Sequence, residues 1–270
     1  MSKTPVLERN HVNVTGNPDA RESLLFVHGF GTDQTAWSGV TPSFEQDYRI
    51  ILLDNVGAGM ADMAAYELNQ ARYASLRGYA ADLLEIMAAL GGERFTLVGH
   101  SAGAMMALLA ANESPQRCAR LVMIGASPRY MDDEGYRGGF TPKDLADIHM
   151  AMSQNYASWA NAFAPLAMGN PDKPGLANYF ANTLSAVPQA LALKVLMSIL
   201  VSDHRLDVRQ TRVPTLIVHS HEDIVVPTEV AEFLHAQIPG SCLKMINATG
   251  HFPHLSNPEG IVAAMKAFGI

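Results

Sequence analysis

GHSAG, residues 99–103, stands between the apolar run ERFTLV (93–98) and the alanine- and methionine-rich run AMMALLAANES (104–114). The segment matches the pattern G-x-S-x-G, in which a serine lies on a tight turn between a strand and a helix. Small neighbours let the strand and the helix approach closely, and the strained turn projects the serine hydroxyl out of the sheet. The apolar run before it and the helical run after it therefore predict that Ser101 is a nucleophile.

Six short apolar runs lack polar–apolar alternation, which is typical of parallel strands covered on both faces. They are LLFVHG (24–29), RIILLD (49–54), FTLVGHS (95–101), RLVMIGA (120–126), PTLIVHS (214–220) and SCLKMINATG (241–250). Helical patterns such as YASLRGYAADLLEIMAAL (73–90) lie between them. This order predicts an α/β fold with a doubly wound, mostly parallel sheet. HVNVTG (11–16) alternates instead and predicts an antiparallel edge hairpin at the start of the chain.

The alternation of strands and helices stops between Ser127 and about Val208. Helical stretches near 141–154, 156–167, 174–185 and 188–201 fill this segment, and prolines such as Pro142 and Pro165 are predicted to mark their edges. We expect a core formed by residues 1–126 and 209–270, with a four-helix cap at 127–208. The cap would be inserted between a strand ending near 126 and one starting near 213, over the edge where α/β sheets bind ligands. A separate helical domain is the alternative, but no linker-like segment flanks these residues.

A nucleophilic serine needs a base, and the base needs a group that orients it. On this kind of sheet the expected chain order is serine, then an acidic residue, then histidine. Asp223 comes just after the strand PTLIVHS, and His251 follows the glycine that ends SCLKMINATG. The sequence therefore predicts Ser101 as nucleophile, His251 as general base and acid, and Asp223 as the orienting carboxylate.

Two neighbours of these residues are alternatives for the same roles. Glu222 could replace Asp223, although the place of Asp223 in the run DIVVP (223–227) favours the aspartate. His254 could replace His251, although a histidine behind a proline is more simply a supporting residue or a surface residue. A zinc site is a further alternative, because His219, His221 and Asp223 alternate along a strand. No second H-x-H pair accompanies them, and no nucleotide fingerprint occurs, so we expect neither a metal nor another cofactor.

An oxyanion hole needs two backbone N–H groups aimed at the charge that develops on the substrate. Ala102, at the start of the helix, is predicted to supply one of them. The loop VHGFGTDQTAW (27–37) is predicted to supply the other from Phe30, and His28 is predicted to brace this loop.

Charge and hydropathy exclude several classes of partner. The net charge of −7 disfavours nucleic acid and anionic membrane surfaces, because no basic stripe can displace counterions from phosphates. No apolar run of about eighteen residues occurs, and MSKTPVLERNHVNVTG (1–16) lacks the apolar core of a signal peptide. Cys118 and Cys242 are too few for a disulfide framework. We therefore expect a cytoplasmic protein without a membrane segment.

Several longer motifs resemble one subfamily of α/β-hydrolases. They are HGFGTDQTAW, LLDNVGAG, GHSAGA, SPRY, GGF, NYASWANAFAPLAMG, SDHR and GHFPHLSNP. The subfamily contains the bacterial stress-signalling hydrolase RsbQ and the plant karrikin and strigolactone receptors, and the likeness runs from about residue 8 to the end of the chain. The resemblance implies an α/β-hydrolase core, a V-shaped four-helix cap and a closed apolar pocket. It also places a Ser-His-Asp triad on Ser101, His251 and Asp223, and oxyanion N–H groups on Phe30 and Ala102.

The resemblance further implies which side chains line the pocket. The aromatic residues of the family match Phe30, Tyr130, Phe140, Trp159 and Phe163, whereas packing within the cap is the simpler interpretation of the sequence alone. Two positions depart from the family pattern. Ala102 stands where valine is frequent, and Leu200 stands where the plant receptors often carry an aromatic pocket residue.

These observations support two hypotheses about function. The first is a serine hydrolase that acts, with slow turnover, on a small apolar ester or butenolide-like lactone through an acyl-enzyme. The second is a ligand-sensing signalling module whose cap recruits a partner, such as a phosphatase with a PAS domain. Other reactions of similar triads stay open, but a haloalkane dehalogenase would carry aspartate where Ser101 stands.

Overall fold

The computed structural model describes residues 4–91 and 94–270, which build one seven-stranded sheet. The strands are β1 (Asn13–Gly16), β2 (Glu22–Val27), β3 (Arg49–Leu52), β4 (Arg94–His100), β5 (Cys118–Ile124), β6 (Thr215–Glu222) and β7 (Cys242–Thr249). Their order in the sheet is β1-β3-β2-β4-β5-β6-β7. Strands β2 to β7 are parallel, and β1 is antiparallel to β3. The predicted α/β fold with a mostly parallel sheet is confirmed.

The predicted edge hairpin is wrong in its partner. Strand β1 is an antiparallel edge strand, but it pairs with β3, where Asn13 lies opposite Leu52. Strand β2, which follows β1 in the chain, is already paired with β3 on one side and β4 on the other. Since β2 has no free edge, β1 adds to the sheet one strand further out.

Successive residues of the central strands pack on opposite faces of the sheet. Leu25 and Leu97 belong to the larger core cluster, whereas Leu24 and Val98 belong to the smaller one. Both faces are covered by helices, so these strands are apolar at most positions on both faces and show no alternation in the sequence.

The helices in the described residues are α1 (Val6–Arg9), α2 (Met63–Leu68), α3 (Leu76–Leu90), α4 (Ala102–Glu113), α5 (Pro142–Gln154), α6 (Tyr156–Met168), α7 (Pro174–Ala186), α8 (Gln189–Leu200), α9 (Arg205–Val208), α10 (Thr228–Gln237), α11 (Pro253–Ser256) and α12 (Pro258–Ala267). Short 3₁₀ turns occur at Gln34–Trp37, Thr41–Ser43 and Pro115–Arg117. Helices α3, α4 and α10 contribute to the larger core cluster, and α12 contributes to the smaller one.

Helices α5 to α8, called the cap helices below, lie between β5 and β6 in the chain and coincide closely with the four predicted stretches. Thr141 closes a capping box at the start of α5, and its Oγ1 accepts a hydrogen bond from the N–H of Asp144. Pro165 was predicted to mark a helix edge, but it lies inside α6. It stands close enough to the C-terminus that the helix continues for only three more residues, to Met168. The domain boundaries at 126 and 208 stay a prediction.

No single helix among the described residues has the length and apolar composition needed to cross a membrane. Helices α7 and α8 pass that test only when they are taken together, and they meet at a bend of 107°. The apolar side chains that α8 buries, Leu191 and Ile199 among them, belong to the core cluster of the protein.

The turn between β4 and α4 is held in a strained conformation by its neighbours. Ser101 has φ of 53° and ψ of −125°, a region that residues with a side chain rarely adopt and that costs about 1–3 kcal/mol. Its N–H donates to the carbonyl of Ile124 at 2.8 Å, which fastens the turn to β5. Gly103 lies directly against β2, because a Cβ at this position would meet the carbonyl oxygens of Val27 and His28. The glycine lets α4 start this close to the sheet.

We therefore expect Gly103→Ala to destabilise the protein by about 1–3 kcal/mol, since backbone atoms of β2 cannot move aside as a side chain could. Gly175→Ala is the matched control, because a Cβ at Gly175 in α7 meets nothing within 4 Å. Urea unfolding of both variants measures the difference. Equal midpoints for the two variants would contradict the close approach of α4 to β2.

Candidate active site

Three predicted side chains meet at the carboxyl edge of the sheet. Ser101 follows β4, Asp223 follows β6 and His251 follows β7. The Ser101 Oγ lies 2.9 Å from His251 Nε2, and His251 Nδ1 lies 2.8 Å from Asp223 Oδ2. Because Nδ1–H donates to the carboxylate, Nε2 carries the free lone pair and accepts the serine proton. This arrangement can raise the nucleophilicity of a serine hydroxyl.

Asp223 is prepared for this contact by its own loop. Its Oδ1 accepts hydrogen bonds from the N–H groups of Val225 and Val226, at 2.8 and 3.0 Å, which leaves Oδ2 for His251. Burial would raise the pKa of Asp223, but the neighbouring imidazole of His251 and these hydrogen bonds outweigh it, so the pKa lies below its ordinary value. The carboxylate is therefore charged at neutral pH.

The alternative residues lie elsewhere. Glu222 is exposed at the end of β6, whereas His254 is buried between the rings of Trp37 and His100. In the H-x-H-x-D pattern, His219 is buried and its Nε2 bonds to the carbonyl of Val226. His221 is exposed, and no group of three metal-binding side chains occurs in residues 4–91 and 94–270.

Tyr130 makes a contact that sequence reasoning did not predict. Its hydroxyl lies 3.1 Å from the Ser101 Oγ. The serine has one proton, which it donates to His251, so Tyr130 is the donor in this second bond. Burial raises the pKa of Tyr130, which keeps its hydroxyl protonated.

The oxyanion loop, residues 28–35, lies directly beside the nucleophile, because a Cβ at Gly29 would stand 3.1 Å from the Cβ of Ser101. The carbonyl of Gly29 accepts from His28 Nδ1 at 2.8 Å and from Thr32 Oγ1 at 3.2 Å. His28 Nε2 in turn accepts from the N–H of Asn55 at 2.9 Å, which fixes the neutral tautomer with its proton on Nδ1. His28 therefore contacts the loop as the predicted brace.

These bonds also orient the N–H of Phe30. The carbonyl of Gly29 and the N–H of Phe30 belong to one planar trans peptide, so they point in opposite directions. Since the carbonyl faces His28 and Thr32, the N–H of Phe30 faces away from them. The second predicted donor, Ala102, is the first residue of α4, where a backbone N–H has no acceptor within the helix.

A narrow apolar cavity opens above Ser101 and His251. All six residues predicted to line a pocket border it: Phe30, Tyr130, Phe140, Trp159, Phe163 and Leu200. Six apolar residues that were not predicted also line it: Ile148, Phe180, Leu196, Ile199, Val225 and Phe252. The spacing of Leu196, Ile199 and Leu200 on α8 is that of one helix face and could have indicated them. Phe252 directly follows His251 and could have been expected at the site.

The size and polarity of the cavity limit what fits. The cavity has a volume of only about 50 Å³. One water needs roughly 10–15 Å³ on the same measure, so the cavity takes only a compact group. Its polar side chains are confined to one end, where His100, Ser101, Tyr130 and His251 lie.

Buried neutral histidines support the site from below. Burial is the main cause that lowers the pKa of His28, His100, His219 and His254, in the last case to about 3. His100 Nε2 donates to the carbonyl of His251 at 2.7 Å and so holds the loop after β7. Neither ring nitrogen of His254 has a hydrogen-bond partner among the described residues.

Comparison with known proteins gives one consistent family. A family model described as the alpha/beta hydrolase fold matches residues 22–258. The chain is 38% identical to strigolactone esterase D14 of Arabidopsis thaliana, over 98% of each protein. It is 34% identical to karrikin insensitive 2 receptor CA of Petunia hybrida, over 96% of this chain and 95% of that protein. The structure of a hydrolase from Oleispira antarctica superposes with a TM-score of 0.92 at 32% identity, and covers 97% of this chain and 95% of its own.

The buried histidines predict that acid destabilises the protein. Each takes up a proton near pH 6.5 when the chain unfolds but resists it when folded, so stability is complete above pH 6.5 and falls as the pH drops below it. His254→Phe removes one such group. Between pH 7.5 and 5.5 we expect this variant to lose about 1.4 kcal/mol less of its free energy of unfolding than the wild type loses. Urea unfolding at both pH values measures this, with the exposed His149→Gln as the control. Equal losses in the wild type and the His254 variant would contradict a neutral buried His254.

Proposed function

We propose that this chain, which belongs to the α/β-hydrolase fold family and is similar to its karrikin and strigolactone receptors, is a serine hydrolase. Its proposed substrates are small, uncharged, apolar esters or lactones. One observation carries the proposal. The chain of hydrogen bonds from Ser101 through His251 to Asp223 ends at a narrow apolar cavity.

In the proposed acylation step, His251 Nε2 takes the proton of Ser101 as Oγ attacks the carbonyl carbon of the ester. The N–H groups of Phe30 and Ala102 stabilise the negative charge on the carbonyl oxygen. The bond to the alcohol oxygen then breaks, and His251 gives its proton to that oxygen. For a lactone the alcohol stays attached as part of the acyl chain.

Deacylation uses water in the same way. His251 takes one proton of a water molecule as its oxygen attacks the acyl carbon. The bond to Ser101 Oγ breaks, and His251 returns the proton to the serine. Asp223 stays ionised throughout and stabilises the imidazolium that forms in each step.

The cavity supports the proposed substrate class. An ionised group of a substrate would lose its hydration in this cavity. The one charged partner it could meet there is the imidazolium of His251 that forms during the reaction, so uncharged substrates are favoured. The small volume favours a short acyl group or a butenolide-like ring over lipids and polymers. The name of one relative, a strigolactone esterase, supports a lactone as the substrate. We also propose that residues 127–208, which contain the cap helices, act as the lid that encloses such a substrate.

A second candidate is a ligand-sensing role, favoured by the match to a protein named as a receptor along 96% of this chain. In this role hydrolysis would be slow, and the cap would change its position when the cavity is occupied. A signalling partner, for example a phosphatase with a PAS domain, would then bind the altered cap. The two roles use one cavity and differ in turnover.

Ser101→Ala should abolish the proposed activity, because Ser101 carries the one hydroxyl among the described residues that bonds to His251 Nε2. We expect release of nitrophenol from 4-nitrophenyl acetate to fall by at least about a thousandfold. Labelling by a fluorophosphonate, read by intact-mass spectrometry, should also disappear. The control is Ser153→Ala on the exposed face of α5, which should keep both. A Ser101 variant that retains activity would refute the mechanism.

The time course of nitrophenol release separates the two roles. A receptor-like chain with slow deacylation should release about one equivalent per chain in a burst and then continue slowly. A chain that works as an efficient esterase should show a linear course without a burst. Stopped-flow absorbance at an enzyme concentration comparable with that of the substrate distinguishes them, and a linear fast course would reject the sensing role.

A further inference from the structure

The oxyanion loop is bonded to the cap as well as to the core. Thr183 of α7 places its Oγ1 2.7 Å from the carbonyl oxygen of Gly31. The same hydroxyl lies 3.1 and 3.3 Å from the carbonyl oxygens of Phe180 and Tyr179 in its own helix. A hydroxyl has one proton to donate, and the short distance assigns it to Gly31.

Packing reinforces this hydrogen bond. Gly31 has φ of +76°, and a Cβ there would lie 2.8 Å from side-chain carbons of both Phe180 and Leu184. One turn earlier on the same helix face, the Tyr179 hydroxyl lies 2.9 Å from Thr35 Oγ1. One face of α7 therefore rests on the loop from Gly31 to Thr35.

These contacts place Phe30 between two fixed peptides. On its N-terminal side, the core fixes the carbonyl of Gly29 through His28 and Thr32. On its C-terminal side, the cap fixes the carbonyl of Gly31 through Thr183. The two soft dihedrals of Phe30 and of Gly31 lie between these anchors, so both anchors together determine where the loop stands beside Ser101.

We propose that Thr183 is a positioning residue through which the cap holds the oxyanion loop. The core sets the direction of the Phe30 N–H through the carbonyl of Gly29, and the bond from Thr183 to Gly31 keeps that N–H in its position beside the nucleophile. The inference builds on the proposed function, because it matters only if Phe30 stabilises an oxyanion. Thr183 acts through Gly31, and it is not among the residues that line the cavity above Ser101.

The role predicts a particular kinetic signature. Negative charge develops on the carbonyl oxygen only in the transition state, so a displaced N–H lowers kcat and leaves substrate binding unchanged. Loss of a whole oxyanion donor costs about 10²–10³-fold in kcat. A donor that is loosened, as here, should cost less.

The test compares three variants of the full chain with 4-nitrophenyl acetate and with a fluorophosphonate. Thr183→Val removes the donor at nearly constant shape, and we expect kcat and the rate of phosphonylation to fall about tenfold, with KM changed less than about twofold. Thr183→Ser restores the hydroxyl and should restore both rates. Tyr179→Phe removes a neighbouring contact of α7 with the loop but leaves the bond to Gly31, and it should stay close to the wild type.

Each remaining outcome decides against the inference. If Thr183→Val keeps the wild-type kcat, or if Tyr179→Phe slows the reaction as much, the bond to Gly31 has no special role. A rise in KM without a fall in kcat would assign Thr183 to substrate binding instead. Thr183→Ala replaces the valine variant if melting shows that the latter does not fold. If the wild type neither hydrolyses the ester nor reacts with the phosphonate, the proposed function fails. If the wild type is active and Thr183→Val has the same kcat, only this inference is refuted.

Discussion

The strained turn at Ser101 is the constraint on which the rest of the site depends. A residue with a side chain holds φ of 53° there, and the surroundings leave it no relaxed alternative. The N–H of Ser101 is bonded to β5, and Gly103 brings the start of α4 against β2. Relaxing the turn would break these contacts in the centre of the sheet. The contacts of the turn with the core offset the energy of this strain. As a result, the Ser101 hydroxyl is held at the carboxyl edge of the sheet.

Parallel strands then bring the partners of Ser101 to the same edge. The loops after β2, β4, β6 and β7 all begin at this edge, although Ser101 and His251, for example, are 150 residues apart in the chain. Their proximity buries four histidines as neutral groups, and stability at low pH is reduced in consequence. Three of these histidines bond to loop carbonyls: His28 to Gly29, His100 to His251 and His219 to Val226. For His28 the neutral state is also required by Nε2, which accepts a hydrogen bond from the N–H of Asn55.

A structural feature can be predicted from this sequence when it leaves a local pattern, and it is missed when it depends on contacts between distant segments. Apolar runs and helical periodicity predicted the central strands and the cap helices, because burial on one or two faces leaves a local pattern. The partner of β1 was missed, because it depends on which strand edge is free once the sheet has formed. The position of Pro165 was missed, because the helix continues past the proline for three residues. At the site, chain order and motif context predicted the residues that meet at Ser101. The contacts of Tyr130 with Ser101 and of Thr183 with Gly31 join distant segments through single hydroxyl groups, which leave no periodic signal.

The position of α7 connects the two proposed roles of the cavity. A lid that only covered the substrate would control access and would leave the reacting groups unaffected. Here the helix that contributes Phe180 to the cavity wall also contributes Thr183 to the oxyanion loop. A ligand that pushes Phe180 outward therefore acts on the loop as well, and a large ligand would loosen the N–H of Phe30 while it occupies the cavity. On the proposed mechanism, ligands that fit beneath the resting cap are cleaved efficiently, whereas ligands that displace it are held longer and cleaved slowly. The contact between α7 and the oxyanion loop would thus make the rate of cleavage depend on the size of the ligand.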